Sequence, residues 1–294
     1  MTRRFAHLLI LLALLAGPRM ARLGILAQPS GPTAPPTVTP IAPSEHNLLF
    51  RPIQPGDGLA HLAERTYPYG STQNGRRAVH LGVEFVNRRG TPIHASLAGK
   101  IVFAGKDDKM RLGPKLNYYG KAVIIAHTVE SLAGERIFTL YGHLESLAVV
   151  VGQQVSSLEL IGHVGSSGVA IGAHLHYEVR ANAPFDYRAT RNPALWLRHT
   201  DGRGLLMGAV QDAHGEFMYG KRLTLRNHKR TREVYTYASP LVNPDAVWGE
   251  NFTVSDLPAG EYELAVLSDT GGIAYREMVT VAPLGATFVT VALD

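Results

Sequence analysis

From Asn47 to about His199, apolar residues come in short runs broken by Gly, Asn or charged positions. Ile101–Ala104, Ala122–Ala126 and Ile137–Tyr141 are compact apolar runs, and such runs bounded by turn residues predict strands. His174–Arg180 alternates instead. Leu175, Tyr177 and Val179 fall on one face, and His174, His176, Glu178 and Arg180 on the other. Only Gly58–Arg65 and Pro193–Leu197 read as helical, so this stretch is predicted to be mainly β and antiparallel. Asp201-Gly202-Arg203-Gly204 marks a boundary. Beyond it the strand candidates are Leu205–Val210, Arg222–Leu225, Glu233–Tyr237, Glu250–Val254, Glu261–Leu267, Ile273–Val281 and Ala286–Val291. Short strands at such intervals predict a β-sandwich. The expected organisation is one mainly β domain over residues 45–200 and a smaller β-sandwich over 203–294.

The amino-terminal pattern differs. Thr2-Arg3-Arg4 precedes a Leu/Ile/Ala run from Leu8 to Leu15. That run is shorter than the roughly 20 residues a membrane-spanning helix needs, and it matches the apolar region of a secretory signal. Residues 1–27 are therefore expected to be a signal peptide, or an amino-terminal anchor if uncleaved, and no other membrane span is expected. Residues 28–44 hold Pro29, Pro32, Pro35, Pro36, Pro40 and Pro43 among Ser, Thr and Ala, which predicts an extended linker. The folded part is expected to be secreted or held in the cell envelope.

Composition narrows the chemistry. The 294 residues include no Cys, which excludes disulfides, thiolate zinc sites, a cysteine nucleophile and a lipid-modified cysteine. Any bound metal must be held by His, Asp or Glu. A formal charge of +5 suits an anionic polymer surface, but no Lys/Arg block argues for nucleic acid.

Three histidine motifs carry the candidate chemistry. In His80-Leu81-Gly82-Val83-Glu84 the even spacing would put imidazole and carboxylate on one strand face, and these are zinc donor types. His174 and His176 share the polar face of an alternating strand, where two imidazoles converge on a small volume. His143 follows the apolar run ending at Tyr141. His61, His94, His199, His214 and His228 have no partner pattern, and His127 and His163 read as structural. There is no His-Glu-x-x-His helix and no Gly-x-Ser-x-Gly elbow. Gly162, Gly165, Gly168 and Gly172 precede the His174 strand and fit either tight turns or the wall of a narrow groove.

In order and spacing these stretches resemble the lysostaphin-type, or LytM-like, zinc metallopeptidases that act on peptidoglycan. The resemblance runs over roughly residues 65–180, through Tyr67-Pro68-Tyr69-Gly70, His80–Phe85, Gly90–Ile93, Ala98–Gly105, Asn117–His127, Tyr141–Leu144 and Gly152–Glu178. It implies that His80, Glu84 and His176 bind Zn2+, with Glu84 where the family normally carries Asp. It implies that His143 and His174 stand beside the open coordination position, assist the zinc-activated water and stabilise the oxyanion. The implied activity is endopeptidase cleavage of peptidoglycan cross-links. The departure at Glu84 keeps a second expectation in play, a degenerate peptidase scaffold acting as a cell-wall-binding or regulatory module. Phe252–Leu264 resembles the prealbumin-like, carboxypeptidase-regulatory-type domains. That module carries no catalytic constellation and is expected to be a spacer or to bind an envelope partner.

Overall fold

The computed structural model describes residues 39–41, 46–56, 58–131 and 133–293. Expectations for residues 1–27, and for most of 28–44, fall outside them. In chain order the first strands are β1 (Thr39–Ile41), β2 (Val83–Phe85), β3 (Pro92–His94), β4 (Gly99–Lys106), β5 (Lys121–Glu130) and β6 (Arg136–Gly142). Next come β7 (Leu144–Leu147), β8 (Gln154–Val155), β9 (Leu160–Val164), β10 (Leu175–Ala181), β11 (Thr190–Arg191) and β12 (Arg203–Gln211). The last are β13 (Arg222–Arg226), β14 (Thr231–Tyr235), β15 (Phe252–Pro258), β16 (Gly260–Leu267), β17 (Ile273–Val281) and β18 (Ala286–Ala292). The fold is mainly β, as the apolar runs predict, and every strand candidate beyond Gly204 has its counterpart here. The segment read as a linker contributes β1, which pairs antiparallel with β18.

The larger module is a seven-stranded sheet in the order β11-β10-β6-β5-β4-β8, with β2 also paired to β10. A three-stranded sheet, β3-β9-β7, packs on it. Alternation along the strands builds a core on each face of the large sheet. Val123, Ile125, Tyr141, Leu175, Tyr177 and Val179 point into the main core, with Ile93, Leu144 and Ile161 of the smaller sheet. Ala122, Ile124, Phe138 and Leu140 point the other way, against Leu112 and Tyr119 of the loop between β4 and β5. That second face carries His176.

Neither segment read as helical is an α-helix. Pro193–Leu195 is a single 3-10 turn. Gly58–Arg65 is irregular, because its backbone polar groups are taken by a side chain rather than by a helical ladder. Asn87 accepts from the Ala60 N–H at 2.9 Å and donates to the Ala60 carbonyl at 3.0 Å. Leu59 and Ala63 still pack on the main core.

Residues from Arg203 onward, with β1 added at one edge, form two four-stranded sheets, β1-β18-β12-β15 and β14-β13-β16-β17. Both contribute to one core that includes Leu206, Phe252, Val289, Leu223, Leu264 and Val279. The β12–β18 pairing is parallel, and β12 is buried on both faces. Leu206 and Val210 enter the sandwich core, whereas Leu205 and Met207 enter the main core beneath the large sheet. Buried polar pairs join the same two regions. Arg51 donates to Asp256 at 2.5 Å, His46 bonds Asp245 at 2.9 Å, and Asn192 donates to Thr253 at 2.7 Å.

The polar boundary at Asp201–Gly204 thus separates strand sets, while β12 just beyond it adds side chains to both cores. Losing one fully buried Leu or Met side chain costs about 2–5 kcal/mol, and ending the chain at Arg203 removes two of them together with several buried polar partners. Such a chain is expected to lose its cooperative melting transition, read by circular dichroism. A soluble truncated protein with a sharp transition would show instead that the first module folds by itself.

Candidate metal centre

The five residues singled out from the motifs converge at the β2, β6–β7 and β10 ends of the large sheet. His176 and Glu84 are cross-strand partners on β10 and β2, so their side chains start from adjacent backbone positions. His80 lies just before β2, not on it, and reaches the same point because the chain bends at Gly82. A Cβ at Gly82 would sit 2.6 Å from His176 Nε2 and 2.7 Å from the Tyr177 carbonyl, so only glycine fits there. His80 Nε2 stands 3.2 Å from Glu84 Oε1 and 3.3 Å from His176 Nδ1, and Glu84 Oε1 is 3.5 Å from His176 Nδ1. Among the described residues these three are the group whose donor atoms lie close enough to share one metal ion, all within 4.8 Å of one another.

His143 and His174 border that cluster. Their rings are 4.8 Å apart, and the His143 ring is 5.8 Å from that of His176. His143 has φ +65°, in the left-handed region. The conformation is held from both sides, because its backbone N–H donates to the Tyr119 carbonyl and its Nδ1–H to the Ser167 carbonyl at 2.8 Å.

Each imidazole has one nitrogen engaged by the fold, and this fixes which nitrogen faces the cluster. His80 Nδ1–H donates to the Tyr67 carbonyl at 2.7 Å, leaving Nε2 as the lone-pair nitrogen. The Tyr67 ring lies flat on the His80 ring at 4.1 Å. His176 Nε2–H donates to Glu178 at 3.0 Å, leaving Nδ1 toward His80 and Glu84. Among the described residues, His143 Nε2 has no hydrogen-bond partner. His174 donates Nδ1–H to the Gly172 carbonyl at 3.1 Å, and its Nε2 meets Glu84 Oε2 at 2.5 Å. Backbone or carboxylate partners that fix the far nitrogen of an imidazole are the usual outer support of metal-binding histidines.

The alternation of β10 extends the network inward. Glu178 and Arg180 follow His176 on the same face and are fully buried. Glu178 accepts from His176, from the Tyr119 hydroxyl and, at 2.7 Å, from Arg180 Nε. Asp107 accepts from the backbone N–H groups of Tyr118, Tyr119 and Gly120 and so holds the loop that covers this face. Sequence reasoning put Glu178 and Arg180 on the polar face without giving them a task. Their signal was the continued alternation past His176. Tyr67, Tyr119 and Asp107 had no such signal, because they act through contacts distant in sequence.

Charges in the cluster are coupled. Burial opposes ionisation of Glu84, but hydrogen bonds to His174, His176 and His80 outweigh it and hold the carboxyl well below its usual range. Burial also opposes a charged His176, yet Glu178 and Glu84 raise it to about 9. His80 is lowered, first by burial. His143 falls to about 3 through burial and the neighbouring His176 and His174, so it is neutral at pH 7. A cation among these donors competes with a proton on His176. The donor set is nitrogen and carboxylate oxygen with lone pairs turned to one point, which fits zinc.

Other motif positions have structural work. His127 bonds Ala98 and Thr139 and is buried, which lowers it to about 4. The histidines without a partner pattern contribute no donor to the cluster. Gly162, Gly165 and Gly168 pack against the backbones of Ser146, Glu145 and Gly120, which makes them close-approach positions.

Residues 78–187 match Peptidase family M23. Over this stretch the chain is similar to the M23 peptidases. The matched stretch holds all of the clustered residues, and β12–β18 follow it. It is 38% identical over 104 residues to DD-carboxypeptidase/endopeptidase Mpg of Neisseria meningitidis serogroup B, covering 35% of this chain and 20% of that protein. Peptidoglycan DD-endopeptidase ShyA of Vibrio cholerae is 36% identical over 104 residues, covering 35% and 21%. Lysostaphin of Staphylococcus simulans is 33% identical over 143 residues, covering 49% and 26%. The chain thus spans about a fifth to a quarter of the length of these relatives. Among solved structures, the catalytic domain of lysostaphin from Staphylococcus simulans is 29% identical, with 45% of this chain and 88% of that one covered and a TM-score of 0.35. Among the described residues no helix is long and apolar enough to cross a membrane.

Proposed function

We propose that the chain is a zinc endopeptidase that cleaves peptide cross-links of peptidoglycan outside the cytoplasm. The observation that carries this reading is the orientation of the imidazoles. His80 Nε2 and His176 Nδ1 turn their lone pairs to one point shared with Glu84, while a fold-supplied acceptor holds the opposite N–H of each ring. Those three residues would hold the metal. Zinc, when bound, supplies a Lewis acid that polarises the scissile carbonyl and makes water a nucleophile near neutral pH. His143, its Nδ1 held by the Ser167 carbonyl, would present Nε2 to the proton released during attack. His174 faces an acceptor at each ring nitrogen, so it suits a donor to the oxygen on which negative charge develops. The prealbumin-like resemblance after Arg203 would make that part an accessory module supporting the peptidase and contacting an envelope partner.

The test is purified cross-linked peptidoglycan incubated with the full chain, followed by mass spectrometry of the released fragments. Cross-linked peptide dimers should convert to monomers with a new amino group. Binding to the polymer with no such product would favour a degenerate scaffold.

Glu84 supplies a second check. Its oxygens reach His80, His174 and His176 from the middle of a three-residue strand. Glu84→Asp withdraws the carboxylate by one methylene while the backbone stays paired with β10. The substitution is expected to leave zinc affinity and cleavage no higher than in the natural chain. A rise of tenfold or more in both, about 1.4 kcal/mol each, would mean that Glu84 is a lesion.

A further inference from the structure

On the far side of the loop that supports His80 lies a second cavity, of about 540 Å³, between residues 65–76 and the segment entering and forming β14. It is separate from the metal centre, since none of the clustered histidines nor Glu84 lines it. Its walls carry Arg65 and Arg76 from the loop and Arg230 and Arg232 from the β14 segment. Among the described residues none of these four guanidinium groups has an ion pair or a hydrogen-bonded acceptor. The carboxylate in the lining, Glu233, is turned to Arg222 at 3.7 Å and to the Tyr235 hydroxyl at 3.4 Å. Asp256, whose charge reaches Arg232, is taken by Arg51 at 2.5 Å. Burial and the neighbouring Arg65 lower Arg232 to about 10.

Gathering like charges around one cavity without counter-ions opposes folding, and an anion in the cavity relieves it. Arginine is the side chain that engages oxyanions through two parallel N–H groups. Four positive charges on one cavity, two from each of two chain segments, call for an anion with more than one negative group. We propose that this cavity binds an extended anion carrying two or more phosphate groups. Recognition runs from guanidinium forks to phosphate oxygens, with β14, an edge strand of its sheet, as one wall. The site stands independently of the zinc reading. Its occupant would tether the chain to a phosphate-bearing polymer while the stretch matching M23 stays free.

The experiment is calorimetric titration of the full chain with tripolyphosphate, with an oligomer of glycerol phosphate and with poly-glutamate of matched charge. Saturable binding of either phosphate ligand, weakened at least tenfold by R230A/R232M and by the exposed single substitution Arg76→Ala, supports the proposal. The arm that binds tells a free polyphosphate from a phosphodiester polymer. Zinc content and melting temperature should be unchanged in the variants, which separates this result from failure of the metal centre or of folding. No saturable binding, equal binding of poly-glutamate, or unaltered affinity in stably folded variants would overturn it.

Discussion

His80→Ala and His176→Ala are expected to lose stoichiometric zinc and, with it, cross-link cleavage. Each ring supplies one of the donor atoms grouped within 4.8 Å. His143 Nδ1 is tied to Ser167, and His174 Nδ1 to Gly172. Removing an outer partner of a metal ligand typically costs about 10–100-fold in affinity or activity. Loss of the ligand itself should exceed that range. His176→Ala also leaves the fully buried Glu178 with one donor fewer, although Arg180 and Tyr119 still satisfy it. Burial opposes the Glu178 charge, but Arg180 and His176 bring it down to about 2, and Arg180 remains in the variant. The fold should therefore survive. Metal analysis after dialysis, beside a melting curve, checks this. One zinc per chain retained by the H80A/H176A double variant would refute the assignment.

His143→Ala and His174→Ala should give the opposite pairing of results, zinc kept and cleavage lost. Positioned acid–base groups contribute about 10²–10⁴-fold, and a single oxyanion donor about 10²–10³-fold, so each variant should fall by at least about 100-fold. The geometry separates these residues from the ligands. His143 Nε2 contacts no carboxylate, and His174 Nε2 meets the Glu84 oxygen that is not shared with His80 and His176. His143 is also held by a backbone N–H bond to Tyr119, which persists when the side chain is cut back. Zinc retention and initial rates on the same preparations decide the matter. If either variant loses zinc as readily as His80→Ala, that residue is a ligand.

Much of this was legible in the sequence where the pattern is local. The strands beyond Gly204 follow from apolar runs between turn residues, because each run supplies both its own period and its own ends. The alternation from His174 to Arg180 gave the facing of β10. His80 and Glu84 do not share a strand face as their even spacing predicts. Only Val83–Phe85 is strand, and the two side chains meet because Gly82 bends the chain against His176. The helix expected at Gly58–Arg65 failed because Asn87, more than twenty residues away, takes the Ala60 amide and carbonyl. The joining of the sandwich to the main core was hidden for the same reason. Arg51 and Asp256 are 205 positions apart, and nothing near either one announces the partner. The arginine cavity was invisible because its charges lie far apart in sequence and dilute in a composition of +5.

The central claim is that the histidine cluster holds a zinc ion on which cleavage depends. The most direct measurement strips the full chain with a chelator, removes the chelator, and follows cleavage of cross-linked peptidoglycan as zinc is added back. The account predicts no turnover in the stripped chain and full recovery at one zinc per chain. Undiminished turnover by the metal-free chain would contradict it.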